Sequence, residues 1–217
     1  MKRKLSGNIL ILLGAALLLA GLGMTGRNFW MEEQAGDTAQ LVMEQLLEKL
    51  EAGEASQETG LPDHEITDPV IPGLSEPAAQ EQAARRPMPE IMVDGVAYIG
   101  YLEIPALELK LPVASQINET LLEKGPCRYF GTVYQKNFVI GGHRYRRHFR
   151  KLYTLGYGER VIFTDVTGKN YHYQVAEQEV IEPYQSTYLC TGDWDLSLFT
   201  CTTGGASRVV VRCIAIS

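Results

Sequence analysis

The stretch LSLFTCTTGGASRVVVRCIAI occupies residues 196–216, near the end of the chain. It holds two runs rich in apolar and β-branched residues, Leu196–Thr200 and Arg208–Ile216, on either side of a turn with two consecutive glycines. This pattern predicts two strands joined by a tight connection. Similar short runs, broken by turn residues, extend back to Ile91, so the sequence predicts a predominantly β domain over residues 91–217.

Five more predicted strands and two short helices lie between Ile91 and this stretch. The strands are Val96–Ile104, Leu107–Val113, Phe138–Ile140, Arg160–Asp165 and Tyr171–Ile181, and the helices are Asn118–Lys124 and Phe149–Leu155. Thr-Gly-Lys at residues 167–169 is a typical hairpin turn. Because the helices are few and short, we expect an all-β domain, and closure into a barrel would leave no unpaired sheet edge.

The composition excludes several classes of protein. Hydrophobic residues make up 45% of the 217 residues, enough to bury a core, which argues against a disordered chain. A net charge of -6 argues against a protein that binds nucleic acid by neutralising phosphates. Four cysteines without a Cys-x-x-Cys pair are too few for a disulfide scaffold or a zinc ribbon, so we expect neither a metal nor a cofactor.

The charges divide the chain into three parts. Residues 1–31 carry four cations and no acid, residues 32–90 have a net charge of -11, and residues 91–217 have a net charge of +1. We therefore expect a basic start and membrane anchor over residues 1–30, an acidic helix and linker over residues 31–90, and the folded domain over residues 91–217.

Residues 5–24 form a run of 20 mostly apolar or small residues, long enough to cross a hydrocarbon layer about 30 Å thick. Three cations precede the run, and Phe29 and Trp30 follow it at the position of an interfacial aromatic belt. The positive-inside rule puts the N-terminus in the cytoplasm and predicts a single-pass protein of the cell membrane with its main domain outside. The alternative is a cleaved signal peptide, since small residues such as Ala20 lie near the end of the run.

The acidic middle begins with a predicted helix. Asp37 is a suitable N-cap and Gly53 a suitable end. Between them one helical stripe carries the apolar residues Leu41, Val42, Leu46, Leu47 and Leu50. We interpret this as a juxtamembrane helix, and the alternative of a coiled-coil contact rests on fewer than two heptads. Residues 54–89 are rich in Glu, Gln, Ala and Pro, which predicts an extended stalk that holds the domain off the bilayer.

Three residues at predicted strand ends have the chemistry of a cysteine enzyme. Such an enzyme needs a thiolate, a cation near the sulfur and a group that moves protons to a leaving amine. Cys201 ends one predicted strand, Arg208 opens the strand that faces it, and His143 follows two glycines at the end of a third. Each signal is weak alone, because a cysteine after a strand is more often buried and inert.

Together these segments resemble sortases, the cysteine transpeptidases of the Gram-positive cell surface. Leu-Phe-Thr-Cys at residues 198–201 resembles the end of the family's TLxTC motif, with Ser197 in place of the first threonine. The other similar segments are residues 98–105, 109–113, 138–144 and 208–211. The resemblance covers about residues 95–217, in the family's order, and the predicted membrane anchor agrees with it.

The resemblance implies a closed eight-stranded β-barrel and a defined reaction. Cys201 would be the nucleophile that attacks the carbonyl of an LPxTG-like sorting signal and holds the acyl part as a thioacyl-enzyme. His143 would be the general acid and base, and Arg208 would hold the substrate or stabilise the oxyanion. The implied partners are surface proteins with a C-terminal sorting signal and an amine of a peptidoglycan precursor or a pilin.

The subclass that the sequence favours is class D or a related short-loop group. Residues 183–193 leave little room for the long helix of class B, and Asp-Pro-Val at residues 68–70 lacks the aromatic residue of the lid in many pilin-polymerising sortases. Two other cysteine enzymes fit less well, since L,D-transpeptidases use Ser-x-Gly-Cys and papain-like proteases place the cysteine before the histidine. The remaining alternative is an anchored, catalytically inactive binding or scaffold module.

The other three cysteines are interpreted as structural residues. Cys127, Cys190 and Cys213 are open to disulfide pairing outside the membrane, with a connectivity that spacing does not fix. Cys213 lies five residues after Arg208 on the last predicted strand, so the two side chains should point to opposite faces. We therefore expect Cys213 to be buried.

The remaining histidines and a basic run are interpreted as surface or hairpin residues. His148 and His172 are expected at the surface or in a hairpin. Five cations lie between residues 144 and 151, beside His143. They are expected to form a solvated face, with binding to an anionic wall polymer as the alternative.

Overall fold

The computed structural model describes residues 7–53 and 87–216. Within these residues nine strands form one sheet, preceded by a long helix. The strands are β1 (Ile91–Val93), β2 (Val96–Ile104), β3 (Leu109–Ala114), β4 (Cys127–Phe130), β5 (Phe138–Gly141), β6 (Arg160–Asp165), β7 (Asn170–Ile181), β8 (Leu196–Cys201) and β9 (Arg208–Ala215). The stalk predicted over residues 54–89 lies almost entirely outside the described residues.

Eight of these strands close into a barrel. Around the ring the order is β2, β3, β4, β5, β8, β9, β7 and β6, and the pairing of β6 with β2 closes it. The short strand β1 pairs with β2 and lies outside the ring. The expected all-β, closed eight-stranded barrel is therefore confirmed.

Alternate residues of the strands fill the barrel with apolar side chains. Ile99, Leu102, Phe138, Phe163 and Leu198 are each at most 1% exposed. The rings of Phe138 and Phe163 meet edge to face, with centroids 5.2 Å apart. Removal of this apolar surface from water is the main force that stabilises the barrel.

The long helix α1 (Gly7–Glu51) is continuous over 45 residues. Among the described residues it is the one helix long and apolar enough to cross a membrane. The prediction that a separate helix begins at Asp37 is wrong, since the backbone is already helical there. No proline occurs between residues 7 and 51, so nothing in the sequence forces the helix to stop before that aspartate.

The C-terminal half of α1 packs against the barrel. Val42 and Leu46 lie in an apolar cluster with Ile91 and Tyr98 of the β1–β2 hairpin. Leu41, which the predicted stripe included, is instead 62% exposed. This part of the acidic segment is therefore part of the packed structure.

The short elements show where local patterns predict structure well and where they do not. The expected helices are present as α2 (Glu119–Leu122), which Asn118 caps through Oδ1, and as a 3-10 helix at Phe149–Thr154. The strand expected from Leu107 begins two residues later, because Pro105–Leu107 form a 3-10 turn. Three elements were not predicted, namely β1, β4 and α3 (Ser186–Leu189).

The connection between β7 and β8, residues 182–195, covers part of the barrel's outer face. It begins where Ile181 pairs with Arg208, at the end of the barrel that also holds Cys201. Within the connection, Leu189 of α3 packs on Val139 and Val210 from the outside. The connection thus packs on the outside of the barrel next to β8.

Candidate active site

Cys201 and Arg208 are direct partners across two strands. Cys201 is the last residue of β8, Arg208 is the first residue of β9, and the two are opposite each other in the antiparallel register. Side chains at such positions share one face of the sheet, with Cβ atoms about 5 Å apart. The tight connection predicted from the sequence therefore places the side chain of Arg208 on the same face of the sheet as that of Cys201.

The loop between the two strands is closed by its own hydrogen bonds. The N–H of Thr202 donates to the carbonyl of Ser207 at 2.9 Å, and the N–H of Ser207 donates to Oγ1 of Thr202 at 3.0 Å. Arg208 donates from Nη1 to the carbonyl oxygens of Gly205 and Ser207, at 3.2 and 3.1 Å. These bonds hold the arginine at the mouth of the loop, beside the partly exposed Cys201.

His143 lies at the same end of the barrel. Strand β5 pairs with β8 in parallel, Gly141 is opposite Phe199, and the N–H of Gly142 donates to the carbonyl of Phe199 at 3.1 Å. Strand β5 ends at Gly141, and an extension of its register by two residues would reach the level of Cys201 at His143. The structure therefore places all three predicted site residues at one end of the barrel, Cys201 on β8, Arg208 on β9 and His143 two residues after the end of β5.

The two glycines before His143 are a packing requirement. A Cβ on Gly141 would lie 2.6 Å from Cζ of Phe199, and a Cβ on Gly142 would lie 2.7 Å from Cδ2 of Phe149. Any larger residue at either position would displace an aromatic ring. The Gly-Gly pair thus lets the histidine loop lie close against β8.

Two neighbours of His143 were not predicted from the sequence. Nε2 of His143 lies 3.3 Å from Oε1 of Glu119 at the start of α2, without hydrogen-bond geometry. The imidazole also contacts the ring of Tyr145, with centroids 4.8 Å apart. The side chain of His143 is 20% exposed, but its Nε2 atom is buried.

Arg212 shares the face of β9 that carries Arg208 but lies away from the cysteine. Its register partner is Ser197, four residues before Cys201. Its guanidinium is fully buried and donates to Oε1 of Glu179 at 2.8 Å and to Oγ of Ser197 at 2.9 Å. The same group donates to the carbonyls of Tyr188 and Leu189 in α3, both at 3.1 Å.

The hydroxyl of Ser197 explains why serine can replace the first threonine of the TLxTC motif. It accepts a hydrogen bond from a buried cation, and both serine and threonine supply that oxygen. Arg212 therefore ties β8 and β9 to α3, and its role is structural. Its partners come from three different elements, which no local pattern in the sequence connects.

Two of the other cysteines are inert by burial. Cys127 and Cys213 are free and 0% exposed, and burial raises the pKa of each thiol to about 12. Both remain protonated near neutral pH and are poor nucleophiles. The expectation that Cys213 is buried is confirmed. Burial also raises the pKa of Cys190, which is partly exposed next to α3.

The two other histidines differ from each other. His172 on β7 is exposed, as expected. The expectation for His148 is wrong, because the side chain is 0% exposed, and burial lowers the pKa of its imidazole to about 4. His148 lies next to the backbone of Ala35 in α1, so the cause of its burial is a helix more than 100 residues away in sequence.

The basic run beside His143 is not a free solvated face. Arg146, Arg147 and Arg150 each form an ion pair with an acidic residue of α1. Acids placed along one face of α1 meet cations placed on one loop, so opposite charges neutralise each other across the contact. These three arginines are thereby occupied within the chain.

The described residues offer no site for a metal ion. In residues 7–53 and 87–216, no group of three or more His, Cys, Asp or Glu side chains is placed to hold one.

The comparisons with known proteins identify the family of the chain. The family model for the sortase domain matches residues 102–215, more than half of the chain. Comparison with curated proteins gives no match.

Solved structures of several sortases have the same fold. The sortase D5 transpeptidase of Clostridium perfringens is 19% identical, with a TM-score of 0.57 over 83% of this chain and 99% of that one. Sortase C1 of Streptococcus agalactiae is 27% identical, with a TM-score of 0.50 over 55% and 69%. Sortase A of Listeria monocytogenes is 20% identical, with a TM-score of 0.52 over 55% and 88%. The chain therefore belongs to the sortase family of transpeptidases.

Proposed function

We propose that this chain is an active, membrane-anchored cysteine transpeptidase that cleaves an LPxTG-like sorting signal and joins the acyl part to an amine of the cell wall or a pilin. The proposal is supported by the pairing of Cys201 with Arg208 and by the position of His143 just after the neighbouring strand β5, at the same end of the barrel. A buried structural cysteine would need neither a cation opposite it nor a histidine level with it.

The chemistry follows from these three side chains. The thiolate of Cys201 attacks the carbonyl carbon of the scissile peptide bond, and Arg208 stabilises the oxyanion that forms. When the C–N bond breaks, His143 gives its proton to the leaving amine, and a thioester to Cys201 remains. An incoming amine then attacks the thioester and passes a proton to His143, and a new amide bond forms as the thiolate leaves.

The outer face of β5 and β8 offers contacts for the apolar residues of such a signal. Phe199 is partly exposed, and Tyr129 meets it edge to face with ring centroids 5.2 Å apart. Both rings pack on a buried cluster that includes Leu189 and Val139, which holds them in place. A peptide with leucine and proline before its scissile bond would bury those side chains here.

The subclass proposed is class D or a related short-loop group. The connection at residues 182–195 carries only the four-residue helix α3, which supports the absence of the long class B helix. The proposed partners are surface proteins with a C-terminal sorting signal and a peptidoglycan-precursor or pilin amine.

The thioacyl-enzyme is the most direct test of this function. We expect the full chain in detergent, mixed with an LPxTG peptide and no acceptor amine, to gain the mass of the acyl fragment on Cys201. Peptide mapping by mass spectrometry identifies the modified cysteine, and Cys201→Ala is the matched control. Acyl fragment on Cys127, Cys190 or Cys213 would refute the assignment, as would a complete absence of acylation across a library of sorting-signal peptides.

The proposed orientation has residues 1–4 in the cytoplasm and the barrel outside, with α1 as the anchor. It is supported by the three cations before the apolar run and by the length of α1. Protease added to intact protoplasts is therefore expected to cut the chain within residues 54–90, as seen by immunoblotting. Protection in intact protoplasts, with cutting only after lysis, would mean that the orientation is reversed.

A further inference from the structure

Acidic residues of α1 form ion pairs with the loop that follows His143. Nη2 of Arg150 donates to both carboxylate oxygens of Glu32, at 2.5 and 2.6 Å. Nη2 of Arg146 donates to Oε2 of Glu33 at 2.7 Å. These bonds join a helix that begins in the membrane anchor to a loop that begins at the proposed catalytic histidine.

A third arginine lies flat against the helix backbone. Arg147 donates from Nη1 to Oδ1 of Asp37 and from Nη2 to Oε1 of Gln40, both at 2.5 Å. A Cβ on Gly36 would overlap Cδ of Arg147 and would lie 3.0 Å from its Cβ. Glycine inside a helix lowers helix stability relative to alanine, so its presence here fits a need for close approach.

The loop from residue 143 to residue 150 is itself a compact unit. The N–H of Phe149 donates to the carbonyl of His143 at 3.2 Å, and the N–H of His148 donates to the carbonyl of Tyr145 at 3.0 Å. The ring of Tyr145 contacts both imidazoles, at centroid distances of 4.8 Å to His143 and 5.5 Å to His148. These contacts connect the part of the loop that carries the arginines to His143.

Helix α1 also covers the far side of this unit. His148 is fully buried beside Ala35, and a cleft of about 260 Å³ separates α1 from α2, with Tyr145 on its wall. Glu119 at the start of α2 is the carboxylate next to His143. The histidine loop is thus held between α1 on one side and α2 on the other.

We propose that Glu32, Glu33 and Asp37 are positioning residues, which act through three arginines to fix the histidine loop and so the imidazole of His143. The proposal rests on the proposed function, in which His143 carries protons in both half-reactions. One exposed ion pair contributes little, but four pairs between one helix and one short loop restrict that loop in position and orientation. The membrane-proximal helix would then be part of the catalytic apparatus.

The test is a charge exchange between Asp37 and Arg147 in the full chain. We expect Asp37→Arg and Arg147→Asp each to lower kcat about fivefold or more with little change in KM, because the histidine is misplaced while the peptide groove is intact. Combining the two substitutions restores the ion pair with its polarity reversed, and we expect kcat within about twofold of the wild type. If the two substitutions only destabilised the fold, their effects on kcat would add in the double variant instead of cancelling.

Two further variants provide matched controls. Glu44→Arg makes the same change of charge as Asp37→Arg, at an exposed position of the same helix, and should leave kcat unchanged. Gly36→Ala should lower kcat, because its Cβ displaces Arg147. Gly26→Ala should not, because a Cβ on Gly26 meets nothing within 4 Å.

Hydrogen–deuterium exchange gives a readout that needs no substrate. We expect faster exchange at residues 143–150 in both single-charge variants and wild-type exchange in the charge-exchanged double variant. Unchanged exchange in the single variants, a double variant as impaired as either single one, or an equal effect of Glu44→Arg would overturn the proposal. An inactive wild-type chain would contradict the proposed function instead, while the exchange data would still decide whether α1 holds the loop.

Discussion

Cys201→Ala is expected to abolish transpeptidation and to leave the fold intact. Removing the nucleophile leaves no atom to form the thioacyl intermediate, so kcat should fall by about 10⁴-fold or more. The side chain is partly exposed at a strand end, and its truncation creates no buried cavity. Steady-state kinetics with a sorting-signal peptide and thermal unfolding of the same sample measure the two effects.

Cys213→Ala is the matched control for this prediction. It removes the same sulfur from a fully buried site in the barrel core, so it should lower the free energy of unfolding by about 1–2 kcal/mol. Its kcat should stay close to that of the wild type below its unfolding temperature. Near-full activity of Cys201→Ala would contradict the proposed nucleophile.

Arg208→Ala is expected to lower kcat/KM by about 10²-fold or more, the scale of a lost oxyanion donor. Arg208 lies opposite Cys201, and its guanidinium donates to carbonyls of its own loop, so stability should change little. Arg208→Lys should recover only part of the activity. The lysine keeps the positive charge, but its ammonium group lacks the planar fork of the guanidinium. Kinetics of the three proteins on one peptide test this.

The contrast with Arg212 sharpens the prediction. Arg212 is fully buried and paired with Glu179, so Arg212→Ala should lower the free energy of unfolding by about 3–5 kcal/mol, because the carboxylate loses its partner. Measured well below its unfolding temperature, this variant should lose far less kcat/KM than Arg208→Ala. A folded but inactive Arg212→Ala alongside a fully active Arg208→Ala would place the active site elsewhere on β9.

The sequence predicted those parts of the fold that have long, regular patterns. Strands β7 and β9 carry enough alternating residues to be recognised, and glycines mark the turns near them. Strand β4 has four residues, Cys-Arg-Tyr-Phe, and β1 has three, which is too short for a period to show. The candidate site residues stand out in the sequence because each follows or opens a predicted strand and because the segments around them resemble those of sortases.

The contacts of the histidine loop were not predictable in this way. His148 sits in a run of cations that is typical of a solvated face, and its burial depends on α1. The pairing of Arg147 with Asp37 joins residues 110 apart in sequence. Such contacts depend on how two distant elements dock, for which a single sequence carries no local signal.

The continuity of α1 has a geometric consequence for the proposed anchor. If α1 spans the bilayer as proposed, its packing against the barrel makes the helical repeat set the height of Cys201 above the membrane and the direction in which it faces. One inserted residue between the span and the packed turns would raise the barrel by about 1.5 Å and turn it by about 100°. Substrates held in the same membrane would then reach the active site at a fixed height above the bilayer and from a fixed direction. The length of chain between residues 53 and 87 would not change this height or direction.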